Sequence, residues 1–424
     1  MLVEFKVKNF RSIRDTAVLS LVKDKGRELE RNTFAPDAPA TPPLLRSAAI
    51  YGPNAAGKTN VIRALRVMQH IVESSSKGQI DTGLPLTPFL LDEGSADSPS
   101  EFEVTFVCEG VRYQYGFAAT KKQVLGEWLI AYPKGSAQHW IERRYDDQKQ
   151  EYIWGGMSKL TGNKQVWRDA TRPNALFFST AVQLNNEQLR SVYRWFSEVL
   201  HVVGFDNWNE GFSTKLFEEE KTRDEILNFL EMADVGIQGL ELEENKFTAE
   251  NLPEEMPKAL KEEFLTQLKG KTVVEVKTIH ETNQEQTVLF DMEDESDGTQ
   301  KIFTLAGPWM DTLKNGYVLV VDELHDNFHP KIVKFLVDLF HTPKVNSKNA
   351  QLIFTTHDTS ILNQKVLRRD QIWFCEKSKG QSTELYPLSD FSPRKGVENL
   401  ERGYLSGRYG ALPYIRKNSF EEAC

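Results

Sequence analysis

An apolar segment, Ser47-Ala48-Ala49-Ile50-Tyr51, runs into Gly52-Pro53-Asn54-Ala55-Ala56-Gly57-Lys58-Thr59, and that run opens the helix-like Asn60-Val61-Ile62-Arg63-Ala64-Leu65. Strand, glycine loop and helix in this order form a complete P-loop, which commits this part of the chain to an α/β arrangement. The residue types follow from phosphate chemistry. Backbone N–H groups of Gly52, Asn54, Ala55, Ala56, Gly57 and Asn60 can cradle triphosphate oxygens, and Lys58 can reach the β and γ oxygens. The Thr59 hydroxyl can bind Mg²⁺, and the helix N-terminus adds a favourable dipole. A nucleotide, ATP with Mg²⁺, is the first ligand to expect.

The chain has 424 residues, 40% of them apolar and 27% charged, enough for two or three domains with substantial cores. Its longest apolar runs fall far short of the ~20 residues of a membrane span. The N-terminal Met1-Leu2-Val3-Glu4-Phe5-Lys6 carries charge where a signal peptide needs an apolar stretch, so a cytoplasmic protein with no membrane partner is expected. Cys108, Cys375 and Cys424 lie far apart with no Cys-x-x-Cys, which indicates neither a disulfide framework nor a zinc site. The net charge of −9 argues against a surface that grips nucleic acid as a whole. Acid is concentrated between Leu216 and Phe264, where fifteen Asp/Glu face five Lys/Arg, a solvated helical face or a docking surface for a basic partner.

Residues 2–8 alternate as a strand, Asn9-Phe10-Arg11-Ser12-Ile13 turns, and a second strand follows near Ala17–Val22. The P-loop helix should run over about Asn60–Ser74. Alternating segments flank Glu109-Gly110 in the pattern of a hairpin. Strand-like pieces recur at 128–130 and 151–154, the period turns helical from about Glu187 to Leu268, and the α/β pattern resumes at Thr287. This divides the chain into an N-terminal part of one domain (1–119), an insertion that is β-rich then helical (120–286), and a C-terminal part (287–424).

The second half supplies carboxylates. Tyr317-Val318-Leu319-Val320-Val321-Asp322-Glu323 is an apolar run ending in two acids, as a buried parallel strand does when its C-terminal end reaches a site. In this Walker B strand Asp322 would hold Mg²⁺ and Glu323 would orient and polarise the attacking water. A second buried strand, Gln351–Thr356, ends at His357, which could contact the γ-phosphate. Just before Walker B, Glu295-Ser296-Asp297-Gly298-Thr299-Gln300 opens a helical segment, Lys301–Leu313, that Gly307-Pro308 can kink.

P-loop, distant Asp-Glu after a buried strand, and His about 35 residues later are the arrangement of ABC-type ATPases, and the 295–300 hexapeptide resembles their signature with Ser296 and Gly298 in place. The resemblance implies an ABC/SMC-like P-loop ATPase head with a mixed sheet, interrupted by a mostly helical insertion. It also implies that Ser296 and Gly298 face the γ-phosphate held by another subunit, so that ATP closes a homodimer or higher oligomer. Glu295, Asp297 and Thr299 depart from the transporter signature, which speaks against a transporter subunit.

Taken with Asn9-Phe10-Arg11-Ser12, Pro88-Phe89, Asp322-Glu323-Leu324, His329-Pro330, Thr355-Thr356-His357-Asp358 and the tail Tyr404–Pro413, the motifs resemble the AAA/ABC-type ATPases of bacterial anti-phage loci. The relatives are the AbiL/RloA-like ATPases and the ATPase subunit of the PARIS system, with the ATPase domains of OLD nucleases more distant. This resemblance implies an ATPase, with Lys58, Glu323 and His357 as its catalytic residues, that senses a phage-derived trigger and controls a separate effector, such as a Toprim-type nuclease. It also places Arg11 near the nucleotide, a structural salt bridge being the other reading of that residue, while no residue matches a Q-loop. Only 67 residues follow His357, without an acidic metal-binding cluster, so the effector is expected on another chain. The alternative is an SMC/OLD-like ATPase of DNA repair or maintenance, with Arg143, Arg144, Arg168 and Arg172 as its DNA groove. Against it, no heptads are sustained between Gly52 and Ser296.

Overall fold

The computed structural model describes residues 1–203, 210–246, 256–268, 272–326 and 328–414. Cys424 lies outside them. The chain forms two compact units, one of Met1–Asp206 with Thr312–Cys424 and one of Asn207–Asp311. The segment expected as an insertion, 120–286, is divided between them.

The first unit contains two large sheets. One has six strands in the order Leu200–Val203, Val318–Val321, Gln351–Thr355, Ser47–Tyr51, Ile372–Lys377, Thr383–Pro387, all parallel except the last pair. Its three central strands are buried at every position, which is why they read as unbroken apolar runs rather than as alternation. The P-loop strand, Ser47–Tyr51, is flanked by the strand that ends at Thr355 and by Ile372–Lys377. The carboxyl ends of the parallel strands therefore converge on the loop after Tyr51, where open α/β sheets bind ligands.

The other sheet is antiparallel, ordered Glu151–Gly155, Gln138–Asp146, Val124–Tyr132, Val111–Ala119, Ser100–Cys108, Leu2–Lys8, Ala17–Ser20. Its central hairpin turns at Glu109 and Gly110, both at positive φ (49° and 73°), as a two-residue primed turn demands. The P-loop helix, Lys58–Ser74, buries Val61, Ile62, Ala64, Leu65, Met68, Ile71 and Val72. Those side chains join the inner faces of both sheets in one continuous core.

The second unit holds a three-stranded antiparallel sheet, Gly239–Lys246, Thr272–Glu281, Thr287–Asp291, with the helices Gly211–Glu218, Glu220–Met232 and Lys258–Leu268. The helix Asp297–Asn315 opens in this unit. Two strands fall where a helical period was expected, Leu200–Val203 and Gly239–Lys246. In the second, Leu240-Glu241-Leu242-Glu243 does alternate, but with the acidic residues that strands disfavour. Thr287–Asp291 belongs to this small sheet and not to the P-loop sheet. No helix among the described residues is long and apolar enough to cross a membrane.

Candidate nucleotide-binding site

The P-loop closes around its own lysine. Gly52, Ala55 and Gly57 take positive φ (152°, 62° and 108°), and an added Cβ would sit 2.1 Å from the Cys375 carbonyl at Gly52 and 2.0 Å from the Thr383 hydroxyl at Gly57. Both glycines are thus required by close approach as well as by conformation. Lys58, 5% exposed, donates from Nζ to the carbonyls of Gly52 (2.8 Å) and Pro53 (3.1 Å) and to His357 Nε2 (3.0 Å). Every one of these partners is neutral, and burial lowers the Lys58 pKa. A buried ammonium that donates to no carboxylate, with the Asp322 and Glu323 charges acting on it only from a distance, fits a polyanion. Thr59 is half-buried in the first helical turn, and Asn54 and Ala55 are exposed.

A hydroxyl network braces the loop from behind. Thr383 donates to the Ala56 carbonyl (2.8 Å) and lies 2.8 Å from Ser12 Oγ, which accepts from Asn60 Nδ2 (2.7 Å). The Asn9–Ser12 motif therefore reaches the site through Ser12, while the Arg11 side chain is exposed. Asn9 is an anchor, buried and accepting from the Phe89 amide (2.9 Å) while donating to carbonyls at Ser95, Ser98 and Pro99. That bond accounts for the Pro88-Phe89 motif as well. The Tyr404–Pro413 tail is likewise structural, since Tyr404 stacks on Phe374 and meets Tyr51 edge-on, and the Ala411 amide donates to Glu376 (2.6 Å).

Opposite the loop, the two acids are organised by a threonine on the neighbouring strand. Thr355 Oγ1 donates to Asp322 Oδ1 (2.6 Å) and accepts from the Glu323 amide (2.7 Å). Glu323 itself adopts φ 56°, unusual for a side chain of this size, and its carboxylate is exposed. Strain of this kind concentrates where a side chain must be aimed.

His357 is held neutral, its pKa lowered to about 4 by burial and by the adjacent Lys58 charge. It can therefore accept the lysine proton at Nε2. A second imidazole escaped the sequence reading. His325, two residues beyond Glu323, packs edge-on against His357 with centroids 5.3 Å apart, and its Nδ1 accepts the His357 amide (3.4 Å). A lone His in the turn after Walker B carries no spacing signal by itself, which is why only the structure exposes it.

The structure thus brings the P-loop, Asp322, Glu323 and His357 together in the first unit. The signature residues lie in the second. Ser296 caps the helix Asp297–Asn315, its Oγ accepting from the Thr299 amide (3.2 Å). Glu295, the departure from the ABC pattern, is turned back to Thr278 Oγ1 and His280 Nε2 (2.5 Å each), while Ser296 remains exposed. No cluster of three or more His, Cys, Asp or Glu suited to a metal occurs among the described residues.

The arginines considered for a DNA groove mostly serve the fold. Arg143 is fully buried, 3.6 Å from Glu127 and stacked on Tyr152. Arg172 donates to the Ser75 and Ser76 carbonyls past the P-loop helix, and Arg168 lies over Trp154. Of the four, Arg144 is exposed.

No curated protein matches the chain. Among solved structures, similarity extends to the SMC head domain from Thermotoga maritima (TM-score 0.40, 12% identity, 91% of this chain and 98% of that one). It extends also to the Smc head domain bound to the C-terminal domain of ScpA from Pyrococcus furiosus (0.40, 13%, 91% and 96%) and to the recombination mediator protein RecF-ATPrS (0.35, 11%, 91% and 98%). The phosphate loop, the two-acid strand and the histidine strand described above all lie within residues 47–363, and over those residues the chain belongs to the family described as "AAA domain, putative AbiEii toxin, Type IV TA system".

Proposed function

We propose that this chain is the ATP-binding and ATP-hydrolysing regulatory subunit of an anti-phage defence system, acting as a sensor that controls a separate effector, such as a Toprim-type nuclease. The observation that carries the reading is the buried Lys58 with only neutral partners, set beside an acid pair fixed by Thr355. The family's description, with its toxin and toxin–antitoxin system, supports a role in defence.

On this reading Lys58 exchanges His357 and two carbonyls for β/γ oxygens when ATP binds, which frees His357 to turn toward the γ-phosphate. Thr59 and Asp322 would hold Mg²⁺, which would supply neutralisation of phosphate charge. Glu323 orients and polarises water for in-line attack, and its exposed carboxylate suits a group that meets its reactant only in a closed assembly. Ser296 and the Gly298 amide, at an exposed helix N-terminus, close onto the nucleotide of a second subunit, so the working form is a homodimer or larger ring. ATP then drives a switch, and hydrolysis resets it.

Lys58→Ala should abolish ATP binding, whereas Glu323→Gln should bind ATP, turn it over on the order of a hundredfold more slowly and accumulate the closed assembly. Phage plating on cells carrying the gene with its genomic neighbour tests the biology. Protection should require both Glu323 and the neighbour; normal ATP turnover in Glu323→Gln, or full protection without the neighbour, would sink the proposal.

A further inference from the structure

Thr287–Asp291 is the outer strand of the three-stranded sheet, paired on one side with Thr272–Glu281 and with no strand on the other among the described residues. The Thr282 amide donates to the Gln286 carbonyl (2.9 Å) at the connecting turn, and hydrogen-bonded and open pairs alternate from there. Thr287, Leu289 and Asp291 therefore direct their amides and carbonyls away from the sheet. Natural edge strands are blunted by lysine, proline or a bulge. This one has no lysine, proline or bulge, and its single charge, Asp291, is paired with Lys277: its register runs unbroken, and Val288, Leu289 and Phe290 are 38%, 44% and 45% exposed in succession.

The surroundings define what can sit there. From Thr272 to Gly298 the chain carries eight Asp/Glu and one lysine, Lys277, which is already bound to Asp291 and Glu243. A second copy of this edge would bring two acidic surfaces together, which like-charge repulsion opposes. We infer that the strand Thr287–Asp291 is a docking site for an extended segment of a partner protein, added as a fourth strand, whose apolar residues cover Val288–Phe290 and whose Lys/Arg residues meet the acidic rim. The 3₁₀ turn Met292–Asp294 leads from this strand straight to the signature, and Thr278 and His280 of the middle strand hold Glu295. A docked strand is thus read within one turn of Ser296. The inference goes beyond the defence reading and does not depend on which effector is controlled.

The test uses the full chain and a fluorescein-labelled peptide of alternating lysine and valine, with a lysine–glycine peptide of equal charge and a glutamate–valine peptide as controls. The lysine–valine peptide should bind and protect the amides of Thr287, Leu289 and Asp291 from hydrogen exchange, and both controls should bind far more weakly. Leu289→Pro removes one outward donor and should weaken binding by about tenfold. Leu289→Lys, a change at an exposed position, should weaken it comparably through charge, and Lys58→Ala should leave it unchanged. Equal binding of the lysine–glycine peptide, absence of amide protection, or unaltered affinity in both Leu289 variants would overturn the inference. So would wild-type dimerisation that Leu289→Lys abolishes, since a second copy would then be the occupant. Peptide binding in a chain that gives cells no protection would leave the docking site standing and remove the defence reading.

Discussion

The Thr355 hydroxyl decides how two chemically different acids are presented. It gives its proton to Asp322 and takes one from the amide of Glu323, so one side chain fixes both a carboxylate and the backbone that aims its neighbour. Thr355→Val keeps the buried shape but strands a donor and an acceptor. We expect ATP turnover to fall by about ten- to a hundredfold with ATP binding largely kept, as a comparison of single-turnover rates with equilibrium binding would reveal. Unchanged turnover would show that Asp322 and Glu323 orient themselves. The positive φ of Glu323 makes a complementary prediction. Glu323→Gly relieves a left-handed side chain, so thermal unfolding should show a gain of about 1 kcal/mol while hydrolysis is lost. A variant that is less stable than wild type would argue against strain at this position.

Elements that carry a period or an uninterrupted apolar run were legible in the sequence, and those defined by partners were not. Ser47–Tyr51, Lys258–Leu268 and the hairpin at Glu109-Gly110 stand where the residues placed them, because burial on both faces, helical spacing and primed-turn chemistry each leave a local mark. The Gln138–Asp146 strand left none: its charged Arg143 reads as surface, yet the guanidinium is buried against Glu127 and two aromatic rings. In the site, the P-loop and both acids were readable from motif order, whereas Ser12, Thr383, Thr355 and His325 act through contacts between distant segments. The helix Asp297–Asn315 shows how an element survives its own breaker. Pro308 cannot donate to the Thr304 carbonyl, and Ser213 Oγ donates there instead (3.0 Å) while accepting from the Gly307 amide (3.0 Å). Ser213→Ala should destabilise this helix by about 1–3 kcal/mol, seen as faster amide exchange around 304–312. Exchange as slow as in wild type would mean that the helix needs no substitute donor.

For the whole molecule, one buried histidine makes stability depend on acid. Burial, reinforced by Arg31, Arg46 and Lys334, pushes His341 down to about 3, and the imidazole lies 2.8 Å from Ser47 Oγ beneath the P-loop strand. An unfolded histidine titrates near 6.5. Above that pH both states are neutral and His341 adds no pH dependence; below it the unfolded chain takes a proton that the folded chain refuses, down to about pH 3. Stability should therefore fall with pH by up to about 1.4 kcal/mol per unit from this group. His341→Gln should shrink the loss between pH 7 and pH 5 by about 2 kcal/mol in denaturant titrations. An equally steep loss in the variant would move the acid sensitivity elsewhere.

The hydroxyl cluster behind the P-loop ties Ser12 and Asn60 to Thr383. Those residues leave the ribosome far apart in time. The glycine loop, the lysine and the first helical turn are made early, but the hydroxyl that braces Ala56 belongs to a strand near the end of the chain. A contact of such sequence separation carries a large loop-closure cost and cannot form before the later strand exists. A nascent chain thus displays the whole P-loop motif long before Thr383 is made, and the loop stands without its backing until that late strand joins the sheet.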